Sequence, residues 1–139
     1  MLVRGGVEKI LFEELKISKV EKGLVIATLT IEPKHTNRLG IVQGGVIATL
    51  TDIGGSLACA SHGLFMTGVT TDLANTYLSS GGRPGDQLEM RCHLQKMGKT
   101  MAYTFVEMYN PKTNHFVARG SHTKFISSAL HNENNADFD

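Results

Sequence analysis

Between Gly44 and Ser61 the chain carries a single charge, Asp52, and its apolar positions recur at helical spacing. At roughly 100° per residue Val46, Leu50, Ile53 and Leu57 share one stripe, which predicts a helix packed on a core. About 130° around the same helix lie Gly45, Ala48, Thr49, Asp52, Gly55, Ser56 and Cys59, where a solvated face would carry Lys and Glu. A stripe of small side chains beside an apolar stripe predicts cover on both sides, the second close enough to require the small residues. Asp52 is therefore expected to lie out of bulk water.

Beyond His62-Gly63 the period changes to two. Val69 to Leu78 reads as a strand, stopped by the turn cluster Ser79-Ser80-Gly81-Gly82-Arg83-Pro84-Gly85. Leu88, Met90, Cys92 and Leu94 then alternate with Glu89, Arg91, His93 and Gln95, a strand with one buried and one wet face. Turns at Met97-Gly98-Lys99 and at 110–114 lead into strands over Thr100 to Tyr109 and His115 to Ile126, an antiparallel meander. Upstream, Val7 to Leu15 predicts a short amphipathic helix, Lys19 to Gly23 a polar turn, and Leu24 to Ile31 a strand ended by Pro33. His35 to Gln43 is a loop that opens into the helix at Gly44-Gly45.

The resulting class is α+β: an antiparallel sheet of about five to six strands curved around one long helix, in a single domain over residues 1–126. The polar stretch 127–139 reads as a disordered tail. Too few other helices exist to cover such a sheet, so a second copy is expected to cover the small-residue stripe and a free sheet edge.

Composition narrows the chemistry. The length of 139 residues suits one domain with a sizeable core, and a net charge of +1 from 14 basic and 13 acidic residues leaves no basic field for a nucleic-acid backbone. The two cysteines, Cys59 and Cys92, have no CxxC spacing, so neither a disulfide framework nor a zinc site is expected, and reduced thiols point to an intracellular setting, cytoplasmic or mitochondrial. No apolar run approaches the roughly 20 residues of a membrane span, and Glu8, Glu13 and Glu14 spoil a targeting segment.

Several catalytic patterns are missing. Gly54-Gly55-Ser56-Leu57-Ala58 ends in Ala and falls mid-helix, unlike a nucleophile elbow, and the glycines from Gly40 to Gly45 lack the Lys of a phosphate loop and the GxGxxG of a dinucleotide fold. The six histidines show no HExxH spacing, so no metal is expected; His93 and His115 read as solvated strand residues. Two features carry chemistry. Asp52 is either a carboxylate placed for reaction or a group that merely hydrogen-bonds Thr49, Ser56 or a nearby loop. Gly44-Gly45 either leaves helix N-terminal N–H groups open to a developing oxyanion or serves tight packing. Eight residues separate Gly44 from Asp52, roughly 12 Å along the axis, so if both act on one carbon the carboxylate must come from a neighbouring copy.

The run His35 to Asp52 (HTNRLGIVQGGVIATLTD), followed by GVTTDLANTYLSS, QKMGKTMAY and ARGSHTK, resembles the hotdog-fold acyl-coenzyme A thioesterases of the phenylacetate-pathway (PaaI-like) type, over about Ile17 to Phe125. The resemblance implies a hotdog dimer, or a dimer of dimers, that hydrolyses acyl-coenzyme A with no cofactor beyond the coenzyme A of the substrate. It implies that the Gly44 N–H polarises the thioester carbonyl, that Asp52 of the facing subunit is general base or nucleophile, that Asn37 orients water or substrate, and that Thr70 stands where the family often has a Ser assisting water. It also implies coenzyme A contacts from Tyr77, Leu78, Ser79 and Ser80 and from Lys96, Met97, Gly98, Lys99, Thr100 and Met101. Without the resemblance, Lys96 and Lys99 read as solvated turn residues. The chain departs from the family at Gln43, which replaces the usual His before the paired glycines; an amide donates a hydrogen bond but carries no proton at neutral pH. That departure favours a rival reading, a noncatalytic acyl-coenzyme A binder. An acyl hydratase on the same scaffold is disfavoured, because it usually needs a His beside an acid and none is evident in the sequence.

Overall fold

The computed structural model of the chain describes residues 6–64, 66–127 and 129–135. Helix α1 (Gly6–Leu11) leads to strands β1 (Lys16–Glu21) and β2 (Leu24–Thr30), and a 3-10 turn at Pro33–His35 precedes the long helix α2 (Gly44–Ser61). Strands β3 (Val69–Tyr77), β4 (Gln87–Met97), β5 (Met101–Asn110) and β6 (His115–Phe125) follow. All six strands join one antiparallel sheet in the order β1-β2-β4-β5-β6-β3, so the expected meander is flanked by β2 on one side and by β3 returning to the far edge.

The apolar stripe of α2 sits as its spacing predicts. Val46, Leu50, Ile53 and Leu57 are buried in one core with Val25, Ala27 and Leu29 of β2, Leu88, Met90 and Cys92 of β4, and Val106 and Met108 of β5. Each large side chain so buried contributes on the order of 2 kcal/mol. Glycine brings the helix close to the sheet. A Cβ on Gly54 would lie 2.7 Å from Val106 Cγ2, and one on Gly55 only 2.0 Å from His122 Nδ1.

That contact corrects the expectation that a second copy covers the whole small-residue stripe. The sheet curves far enough around α2 for Gly55 and Cys59 to be buried within the same chain, and Ser56 meets Lys124 of β6. The first half of the stripe, Gly45, Ala48, Thr49 and Asp52, stays partly or fully open, and Ser56 is half-buried beside Lys124.

Three other features differ from the sequence reading. Strand β1 occupies part of what reads as a polar turn; all six of its residues are exposed, so no buried phase marks it, and only Lys22-Gly23 turns, with Gly23 at φ +85°. Helix α1 stops at Leu11, not Leu15, and the chain folds back so that Phe12 and Leu15 enter the core. The stretch beyond 126 is not uniformly disordered. Ala129 is buried with Cys59, Leu64, Ala102 and Ile126, and the Asn135 amide donates to the Ala129 and Leu130 carbonyls. An apolar pair, Ala129-Leu130, anchors this part of the tail; residues 136–139 lie outside the described residues.

Candidate active site

Asp52 projects from the middle of α2 toward the β3 edge. Its Oδ1 accepts a hydrogen bond from Thr70 Oγ1 at 3.0 Å and lies 3.2 Å from Nε2 of His122, and Thr70 Oγ1 is 2.7 Å from that same Nε2. Three elements thus meet at one point: α2, β3 and β6. The β3–β6 register slips between Thr70 and Asp72, a bulge of the kind that re-aims a side chain beside a site. The Asp52 side chain keeps 47% of its surface exposed, in a cavity of about 310 Å³ lined by Ala48, Thr49, Asp52, Thr70 and Leu73. The carboxylate is therefore half-open within one chain rather than withdrawn from water. Asp52 makes neither of the local bonds suggested for it, since Thr49 donates to the Gly45 carbonyl and Ser56 accepts from Lys124.

His122 is the residue that sequence reasoning missed, and it overturns the statement that no His stands beside an acid. It is fully buried, and its Nδ1 has no hydrogen-bond partner and presses on Gly55. An N–H at Nδ1 would be orphaned there, so the proton belongs on Nε2, where it is donated to Thr70 Oγ1 while the Thr70 hydroxyl donates to Asp52. Burial, with the Lys124 ammonium adding to it and Asp52 opposing, pushes His122 down from 6.5 to about 4, so the ring is neutral at neutral pH. In that form its Nε2 is a donor and cannot accept a proton. Asn75 was missed as well; its Oδ1 accepts from Thr51 Oγ1 at 2.6 Å and pins α2 to β3. A signal existed: from Ala118 the buried phase of β6 runs Ala118, Gly120, His122, Lys124, which puts two basic residues on the inward face.

At the helix start, Gln43 is the N-cap residue, exposed and making no capping bond with its side chain. The N–H groups of Val46 and Ile47 bond the Gln43 carbonyl, while those of Gly44 and Gly45 make no hydrogen bond among the described residues. A Cβ on Gly45 would meet nothing within 4 Å, and one on Gly44 only the Tyr77 ring at 3.7 Å. Tight packing within this chain does not demand these glycines. The Tyr77 hydroxyl donates to the Gly44 carbonyl and steadies the first turn. Asn37 Oδ1 accepts from the Leu39 and Ile41 N–H groups, closing the preceding loop and leaving only its amide N–H donors uncommitted.

The two segments expected at coenzyme A lie at opposite ends of the sheet. Tyr77 pairs with Ala118 and through it Met108, whereas Met101 pairs with Phe125. Seven residues of β5 separate the two rows, roughly 23 Å at about 3.3 Å per residue. Leu78 and Ser79 bond β6 through Val117 and Phe116, and Ser80 Oγ accepts from the Gly82 N–H. Met97, Gly98 and Lys99 line a cavity of about 360 Å³ with His62 and Leu130, and Lys96 borders a neighbouring one. Met101 opens β5, and Thr100 just before it accepts from the Ile126 N–H through its carbonyl.

No other cluster competes chemically among the described residues. Burial pushes Cys59 up to about 11 and Cys92 up to about 12, which leaves both thiols protonated and unreactive. Glu14, Glu32 and His35 place ligand atoms within 4.8 Å of one another, but both ring nitrogens of His35 are engaged, by the Glu32 N–H and the Leu11 carbonyl, and Lys34 bridges the two carboxylates.

Residues 39–117 match the family model described as the thioesterase superfamily, a stretch that contains Gly44, Asp52 and Thr70 and stops before His122. The chain belongs to the thioesterase superfamily. This superfamily member is 36% identical over 108 residues to acyl-coenzyme A thioesterase 13 of Homo sapiens, covering 76% of this chain and 75% of that one. Its fold matches the zebrafish thioesterase superfamily member 2 structure with a TM-score of 0.82 at 27% identity, over 88% of each chain. It also matches smu.793 of Streptococcus mutans, a structure bound to acetyl CoA, with a TM-score of 0.75 at 32% identity over 83% of this chain and 90% of that one. The expected hotdog architecture, one long helix on a six-stranded antiparallel sheet, is the fold of this thioesterase-superfamily chain.

Proposed function

We propose that this chain hydrolyses acyl-coenzyme A thioesters to the free acid and coenzyme A, with Asp52 acting on the thioester or on water at a site completed by a second copy. The observation that carries the proposal is the hydrogen-bonded chain from His122 through Thr70 to Asp52 at the mouth of a cavity. The Thr70 hydroxyl holds Oδ1 and leaves Oδ2 to take a proton from water. The resulting hydroxide attacks the carbonyl carbon, the oxyanion rests on the open Gly44 N–H of the partner, and collapse expels the thiolate, which recovers the proton from Asp52. In the covalent variant Oδ2 attacks first and water then cleaves the anhydride; oxygen-18 labelling in a single turnover separates the two, since only the second route puts label into Asp52.

A second copy is favoured by the β3 edge. Among the described residues it pairs only with β6, and Val69, Leu73 and Tyr77 along it are exposed. Edge pairing of two copies, with a dimer of dimers beyond it, would cover that strand and bring one copy's Gly44 toward the other's Asp52. It would also let the Tyr77–Ser80 and Lys96–Met101 segments of different chains hold one coenzyme A, with Lys96 and Lys99 meeting phosphates and Asn37 offering its amide donors. Among the described residues no helix is long and apolar enough to cross a membrane. Two buried free thiols suit an intracellular setting, cytoplasmic or mitochondrial.

The test is release of free thiol from a panel of fatty and aryl acyl thioesters by the native protein and Asp52→Asn. Loss of roughly 10²-fold or more is expected, the scale of a positioned base. Equal rates would reject the assignment. The exposed amide of Gln43 keeps one rival in play, a noncatalytic acyl-coenzyme A binder, which tight binding without thiol release would establish. His122 does not revive the hydratase, because a ring that already carries its proton on Nε2 cannot collect one there.

A further inference from the structure

Lys124 lies beneath α2 with 3% of its surface exposed, and the hydrogen-bond partner of its ammonium among the described residues is not an acid. The ammonium donates to Ser56 Oγ at 2.8 Å, and no carboxylate lies within ion-pairing distance of it among the described residues. Burying an ammonium without an ion pair is costly, and a Met of the same length would fill the space more cheaply. The placement suggests what the charge is for. Ser56 is one helical turn beyond Asp52, and Lys124 is two residues beyond His122 on the same inward face of β6, so the tether sets a fixed positive charge beside both members of the site.

We propose that Lys124 is a positioning residue of the hydrolytic site: its buried ammonium, held by Ser56 beside the buried His122 ring, adds to burial in keeping that ring uncharged as the medium turns acid, and so keeps Thr70 donating to Asp52. The inference rests on the hydrolytic reading above. The groups facing this pair are few. From α2 come Asp52 and Cys59, from β6 His122 itself, while β3 and β5 present the uncharged hydroxyls of Thr70 and Thr104. Asp52 alone pulls His122 toward the cation. A cationic ring would need to place a second N–H, at Nδ1, against Gly55, and would pair directly with Asp52 in place of the Thr70 relay. The Lys124 charge opposes that state, and the burial of His122 opposes it in the same direction.

The experiment compares the native protein with Lys124→Met by nitrogen-15 NMR of the histidine rings and by the pH profile of kcat/KM for thioester hydrolysis. In the variant the His122 midpoint is expected to rise by about one unit, the scale of one unit charge removed from a partly screened site, and the acid limb of kcat/KM is expected to rise with it. An unchanged His122 midpoint, or a midpoint that moves while the acid limb stays in place, would overturn the proposal. If Lys124→Met does not fold, the native protein decides alone: His122 in the Nε2–H form and a charged Lys124 at pH 6 to 7 support the inference, and a cationic ring or a neutral amine there defeats it. Absence of thiol release by the native protein would instead strike the hydrolytic reading, a failure the ring titration does not share.

Discussion

Strands β4 and β6 are each eleven residues long, alternate in the same way and lie in one sheet on either side of β5, yet they use their inward faces differently. β4 turns Leu88, Met90 and Cys92 inward, all fully buried in the apolar core under α2. β6 turns Ala118, Gly120, His122 and Lys124 inward, equally buried, and the last two meet Gly55 and Ser56 on the helix above. One helix therefore rests on two kinds of floor. Where it meets β4 the contact is dispersion and excluded water, and where it meets β6 the contact is a polar cluster whose every member is placed by hydrogen bonds or by the absence of a Cβ. The apolar floor holds the fold, and the polar one orients Asp52.

If that division is right, damage to the two floors should separate stability from rate. Met90→Ala empties a fully buried site on the β4 side and is expected to cost 2–5 kcal/mol in denaturant melts, about the usual range for such truncations, while the turnover of the molecules that remain folded changes little. A large loss of turnover per folded molecule would place chemistry on the wrong strand.

The β6 side predicts a pH signature. His122 is neutral in the fold down to about pH 4 but takes a proton below about pH 6.5 once the chain is unfolded. Stability from this group is thus level above pH 7, falls as the pH drops from about 6.5 to about 4, and levels again below, by roughly 3 kcal/mol in all. Chemical denaturation across that range measures it, and His122→Gln should remove most of the slope. A slope unchanged by that substitution would mean that other groups carry the acid response.

The same contrast explains how much could be read beforehand. The bounds of α2, the meander and the singular position of Asp52 were legible because burial there follows hydrophobicity, so period and polarity agree. Strand β1 was not, since both of its faces are wet and carry Lys or Glu. His122 and Lys124 were hidden for the opposite reason: polar letters usually mark the wet phase, and only continuing the phase of Ala118 and Gly120 places them inside. The tail anchor is a short apolar pair, Ala129-Leu130, whose packing depends on the end of α2 and on Ala102, partners far away in the chain.

The claim that most depends on geometry is that one copy lends the Gly44 N–H and another lends Asp52. Gly44 is the first helical residue, its φ is not positive and Gln43 before it is extended (φ −72°, ψ 138°), so Gly44→Pro removes the N–H and leaves the helix start intact. Gly44→Pro and Asp52→Asn should each be nearly inactive alone. Mixed oligomers of the two, formed by co-expression, should regain thiol release, because one kind of shared site then has both groups whole; no recovery in verified mixed oligomers would contradict the shared site.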